Sequence, residues 1–118
     1  MSKTVSKADL SDRVEQELRA LCITGKYVGL PHLVSAIRRM VVAPDKVKRL
    51  TKELYPEVAR EFHSSSYGVE HAIRTAINIC WDRGGRETLD KMIGRHLTER
   101  PTNCEFIDQV ANYIRRKY

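Results

Sequence analysis

The sequence predicts an all-α fold, a single compact bundle of about six helices, and three observations carry that expectation. Apolar residues recur at spacings of three and four through most of the chain. Nothing alternates with period two over a useful length, and most glycines and prolines fall between the apolar runs. The 118 residues, 42% hydrophobic and 31% charged, suffice for one buried core and are too few for two independent ones.

The elements follow in order. Residues 8–22 place Leu10, Val14, Leu18, Leu21 and Cys22 on one stripe, with Asp9, Asp12 and Glu15 toward the positive N-terminal end of the helix. Gly25 and Gly29 break that pattern. Pro31 suits a first helical turn, and Leu33, Ile37, Met40 and Val41 carry the next apolar face as far as Pro44. A third segment follows, with Val47, Leu50 and Leu54 inward and Lys46, Lys48, Arg49 and Lys52 outward as a solvated or phosphate-facing surface. Pro56 opens a short helix through Phe62. The triplet Ser64-Ser65-Ser66 offers side-chain oxygens to cap the long helix at about 66–83, whose inward residues are Val69, Ala72, Ile73, Ala76 and Cys80, with Trp81 also expected in the core. Gly84-Gly85 ends it. A short helix spans roughly Glu87 to Ile93. Thr102-Asn103-Cys104-Glu105 has the T-x-x-E spacing of a capping box ahead of Phe106, Ile107, Val110 and Ile114.

Composition removes several function classes. Cys22, Cys80 and Cys104 are odd in number and widely spaced, so a disulfide framework and a zinc site are both disfavoured, and the three are expected as reduced core thiols. His32, His63 and His96 lack partners at ligand spacing, so no metal site and no cofactor is expected. No nucleophile elbow or phosphate-cradling glycine loop accompanies the serines beside His63, so enzymatic activity is not expected. No apolar run approaches the roughly 20 residues of a membrane span. A cytoplasmic protein without a membrane partner is the expectation. The net charge of +6 and pI of about 9.4 suit a polyanionic partner, although many ordinary domains share that balance.

The informative stretch is 55–83. A helix-turn-helix needs a small residue where the second helix crosses the first, apolar anchors flanking the turn, and an apolar stripe on the second helix. Ala59, Phe62, Val69, Ala72 and Ile73 occupy those places. The outward face of the second helix then shows Tyr67, Gly68, Glu70, His71, Arg74 and Thr75, groups suited to base edges and phosphates of double-stranded DNA. Ser65 and Ser66 either donate to a phosphate or simply cap the helix. Arg74 is the leading candidate for a base or phosphate contact, and the alternative is an exposed arginine paired with Glu70 one turn earlier. Glu70 either accepts from a cytosine amino group or orients Arg74. Gly68 costs roughly 1 kcal/mol of helix stability relative to alanine, which close approach to DNA would offset.

Leu54-Tyr55-Pro56, Val69-Glu70, Ala72-Ile73-Arg74, Ala76-Ile77, Trp81, Arg83-Gly84, Arg100-Pro101-Thr102-Asn103 and Glu105-Phe106-Ile107 carry a family resemblance. In order and spacing, over roughly 10–117, the chain resembles the C-terminal effector domain of the sporulation master response regulator, the stage 0 sporulation protein A family. The resemblance implies one helix-turn-helix effector domain over 1–118, with 1–8 a flexible tail. It further implies binding to short repeated DNA boxes as a tandem dimer, and contact with the RNA polymerase sigma subunit through residues 84–97. A loop and short helix that merely cover the core are the plain alternative for 84–97. Two departures stand out. The family commonly carries arginines where this chain has Gly68 and His71, and a histidine where it has Thr75, while Glu70 and Arg74 are kept. The family also places a phospho-accepting receiver domain before this unit, whereas here Met1 lies a few residues ahead of the first helix, so a fragment and a free-standing effector are both open.

Two functions from different classes therefore stand. One is a sequence-specific DNA-binding transcription regulator. The other is a helical protein-interaction module that has kept the family's core and lost specific DNA binding. Nonspecific RNA binding is a weaker third, for want of exposed aromatic platforms.

Overall fold

The computed structural model describes residues 6–118 and contains six α-helices, with no strand among the described residues. The helices are α1 (Lys7–Ala20), α2 (Gly29–Val42), α3 (Tyr55–Glu61), α4 (Ser66–Asp82), α5 (Arg86–Ile93) and α6 (Asn103–Lys117). Of the tail expected over 1–8, residues 1–5 lie outside the described residues. Lys7 and Ala8 already belong to α1, which Ser6 caps by accepting from the Asp9 amide. The Cα radius of gyration is 13.3 Å, against about 13.5 Å expected for one packed domain of this length.

Helix α2 is the centre of the bundle. It packs on α1, α4 and α6, and Leu30, Leu33, Ala36, Ile37 and Met40 are buried along it. Gly29, expected as a breaker, instead opens α2 and lets it approach α4. A Cβ built there would lie 2.4 Å from the Ala72 carbonyl oxygen and 2.7 Å from the Ala76 Cβ. Buried His32 sets its ring edge-on to Phe62 at 5.1 Å, and burial pulls its pKa below the ordinary value against the pull of Glu61. It is thus a neutral core histidine. Among the described residues no three His, Cys, Asp or Glu side chains gather as metal ligands.

Several boundaries differ from expectation for local reasons. Helix α1 stops at Ala20, because Cys22 takes a left-handed conformation (φ 69°) and the Ile23 and Cys22 amides turn back to the Leu18 and Arg19 carbonyls. That is the Schellman closure, here with cysteine where glycine is usual. The segment after Pro44 is no regular α-helix. It runs as a 3-10 turn over Pro44–Arg49 and then a π turn over Leu50–Leu54, with Leu50 and Leu54 buried as expected. Lys46 is not an outward cation, since its Nζ donates to Glu57 at 2.8 Å and it is half-buried. Trp81 is not core. It is only partly buried, with the Arg86 guanidinium 4.0 Å over its ring and Arg86 Nε donating to its carbonyl. Of the cysteines only Cys80 is buried, and burial pushes its thiol up to about 12, while Cys22 and Cys104 are partly exposed and all three are free.

Helix α6 opens on the expected capping box, with Thr102 and Glu105 satisfying each other's amides. Its last turn closes two other helices: Arg115 donates to the Met40 and Val41 carbonyls of α2, and Arg116 to the Met92 carbonyl of α5. These are C-terminal carbonyls that have no partner within their own helices.

The sequence did not point to the polar clamp between α2 and α3. Glu61 accepts from Ser35 at 2.7 Å, Arg39 at 2.9 Å and Arg38 at 3.1 Å, while Glu57 takes Lys46 and Arg39. For Glu61, burial raises the carboxyl pKa, but the Ser35 and Arg39 hydrogen bonds and both guanidinium charges outweigh it, leaving it below 4.5. The Lys46 hydrogen bond lowers Glu57 likewise. Groups lowered on folding stabilise fully above their unfolded value, and that contribution disappears as pH falls through the folded value. Thermal unfolding should therefore show stability falling below about pH 4.5. Glu61→Gln should lose about 1 to 2 kcal/mol at neutral pH, since Arg38 keeps its buried charge without its partner, with the loss discounted for the partial exposure of Glu61. An unchanged melting temperature at neutral pH would contradict the clamp.

Candidate nucleic-acid interface

The pair α3 and α4 meets through a tight turn. Helix α3 begins at Tyr55 with Pro56 in its first turn, where a missing amide costs nothing. It ends when His63 takes a left-handed conformation (φ 53°), which lets the Ser64 amide reach back to the Ala59 carbonyl at 2.9 Å. This second Schellman closure sets the turn of the helix-turn-helix. Val58 and Ala59 of α3 and Val69 and Ile73 of α4 are buried where the two helices pack.

Ser65 caps α4, and its Oγ accepts from the Gly68 amide at 3.0 Å. Ser66 is the first helical residue and is partly buried. Gly68 has a structural use at this place, because a Cβ there would lie 2.9 Å from Ser64 Oγ and 3.2 Å from Ser65 Oγ. It leaves room for the hydroxyl of Ser64 and for that of Ser65, which caps the helix.

Beyond the cap, the outward side chains form a connected row. Tyr67 is 76% exposed, and its ring lies parallel to that of His71, centroids 6.3 Å apart. His71 Nδ1 lies 3.2 Å from Arg74 Nη2, and Arg74 Nη1 is 3.4 Å from Glu70 Oε1. An arginine has no acceptor to offer, so His71 accepts at Nδ1 and carries its proton on Nε2, a free donor. Thr75 is exposed one step further along. The structure thus brings Tyr67, Glu70, His71 and Arg74 together. Thr75 stands on the same face, exposed, and Ser65, Ser66 and Gly68 form the helix start. The i, i+4 pair between Arg74 and Glu70 is present, but it is half-exposed, leaving the guanidinium open to solvent.

Beside this row runs an open groove of about 410 Å³, lined by Leu50, Thr51, Tyr55, Glu70, Arg74 and the stretch Arg100–Cys104. Asn103 fixes that stretch to the helix pair, its Nδ2 donating to the Glu70 carbonyl and lying 3.2 Å from the Tyr55 hydroxyl. Arg100 donates to Asn78 Oδ1 on α4. The sequence pattern gave Arg100 to Asn103 only a place in the family resemblance and a cap; their seat along α4 comes from tertiary packing.

Residues 84–97 form a separate surface. Gly84-Gly85 closes α4, α5 follows, and Asp90 takes the Leu97 amide at 3.0 Å and His96 Nδ1 at 2.9 Å. These hydrogen bonds hold the Asp90 carboxyl below its usual range. Arg86, Glu87, Lys91, Arg95 and His96 are exposed here.

Among the described residues no helix is long and apolar enough to cross a membrane. A family model described as "Sporulation initiation factor Spo0A C terminal" matches residues 14–114, nearly the whole chain. The all-α fold, the helix pair and this match agree: the chain belongs to the Spo0A C-terminal family, a family of DNA-binding sporulation regulators rather than of catalysts.

Proposed function

We propose that this chain is a sequence-specific, duplex-reading transcription regulator that lays α4 in the major groove. The observation that carries this is the open row Tyr67, His71, Arg74 and Thr75, projecting from a helix whose opposite face is packed into the core. A recognition helix needs that combination, since base discrimination requires side chains held in a fixed frame. Arg74, oriented by Glu70, supplies the planar donor pair that fits guanine. The Nε2 donor of His71 and the hydroxyls of Tyr67 and Thr75 reach base edges or backbone, and Ser65 and Ser66 approach a phosphate at the helix start. Gly68, His71 and Thr75 differ from the side chains usual in the family, so the preferred sequence differs from the family's box. The unit works as one domain in the cytoplasm, as a tandem dimer on repeated sites, with the 84–97 surface turned to the sigma subunit of RNA polymerase.

Electrophoretic shifts of a mixed-sequence duplex at increasing salt test the duplex reading. Affinity is expected to fall steeply, the logarithm of the binding constant declining with log salt by about 0.9 per phosphate contacted. No shift at low salt, together with capture of sigma subunit, would instead assign the chain to protein interaction alone.

A further inference from the structure

Arg100 stands outside the helix pair and outside every DNA contact proposed above. It is exposed and precedes α6 in sequence, yet it lies against α4, donating to Asn78 Oδ1 and sharing the groove with Arg74. Asn78 continues the outward row of α4, because positions 67, 71, 74 and 78 recur at four, three and four. Arg100 therefore extends that row at its C-terminal end, from a loop that Asn103 pins to the Glu70 carbonyl.

Its charge is uncompensated. Five of the thirteen arginines pair with carboxylates; Arg100 is one of the eight that make no ion pair among the described residues, and of those eight it is the one that lines the groove beside Arg74. The nearby Glu105 carboxylate is committed to the Thr102 amide in the capping box. A guanidinium has five donors, and the single neutral acceptor on Asn78 leaves most of them free. An exposed, oriented and unneutralised guanidinium beside a helix that enters a groove meets the sugar-phosphate wall of that groove rather than its floor. Contacts of that kind fix the register of a protein on DNA without reading sequence.

We infer that Arg100 is a positioning residue that binds a backbone phosphate of the duplex and sets how far along the groove α4 sits. This rests on the duplex reading proposed above. The test compares the full chain with Arg100→Ala and Arg100→Lys on two probes, a duplex selected by the parent protein and an unrelated one, over a range of salt. For Arg100→Ala, affinity for both duplexes is expected to fall about five- to tenfold near 0.1 M salt, with the salt slope shallower by about one. The ratio between the two duplexes stays as in the parent, and Arg100→Lys recovers most of the affinity. Parent-like binding by Arg100→Ala would overturn the inference, as would a loss with unchanged slope, which marks packing through Asn78, or a collapsed ratio, which marks base reading. If the parent shifts neither duplex at low salt, the duplex reading itself fails and this inference with it.

Discussion

Gly29→Ala is expected to destabilise the protein by about 1 to 3 kcal/mol, against the usual gain when alanine replaces a helical glycine. The added methyl meets the Ala72 carbonyl oxygen at 2.4 Å and the Ala76 Cβ at 2.7 Å, and a backbone oxygen inside a helix cannot step aside as a flexible side chain can. Relief requires α2 and α4 to separate. Helix α2 is also the platform for α1, α6 and, through Glu61, α3, so the strain spreads to the whole helix pair. Duplex affinity should fall with stability, because α4 loses the frame that aims its outward row. Gly25→Ala is the control: its Cβ would meet only the mobile end of Arg19 at 3.4 Å, and its effect should stay within about 0.5 kcal/mol. Denaturant unfolding of both variants measures the difference. Equal stabilities would show that the α2 to α4 approach is looser than described.

The apolar stripes were legible in sequence because helical periodicity is local, and they place all six α-helices. The stop after α4 was legible as well, since Gly84 supplies the left-handed residue that composition announces. Two other stops were not. Cys22 and His63 take the same conformation with side chains that carry no such signal, held there by amides that return to Leu18, Arg19 and Ala59. Gly29 misled in the opposite sense, because a glycine selected for helix-to-helix distance looks in sequence like a glycine that breaks a helix. Trp81 misled too, its size suggesting burial where Arg86 covers one face instead. At the candidate interface the row on α4 followed from the 3.6-residue period. Its neighbours did not: Asn103 reaches Glu70 from 33 positions away, and Arg100 reaches Asn78 from 22. Pairings over such separations leave no periodic trace.

Arg74→Ala carries the largest expected functional effect. The side chain is half-exposed and joined only to Glu70 and His71 on its own helix, and alanine favours helix, so the fold should persist. Losing a bidentate contact to guanine removes about 1 to 3 kcal/mol of discrimination, or about 5- to 150-fold between the preferred and the mismatched base. Glu70 would then stand unpaired on the face turned to DNA, adding repulsion toward the phosphates. A lysine in place of Arg74 would restore charge without the planar fork, recovering affinity more than selectivity.

Selection of bound sequences from a random duplex pool, run in parallel with the parent and with Arg74→Ala, tests most directly whether the outward row of α4 reads DNA. The parent should enrich a defined, repeated element, and the variant should lose preference at particular base positions within it while still folding. Recovery of the same element with the same strength by both proteins would contradict the account.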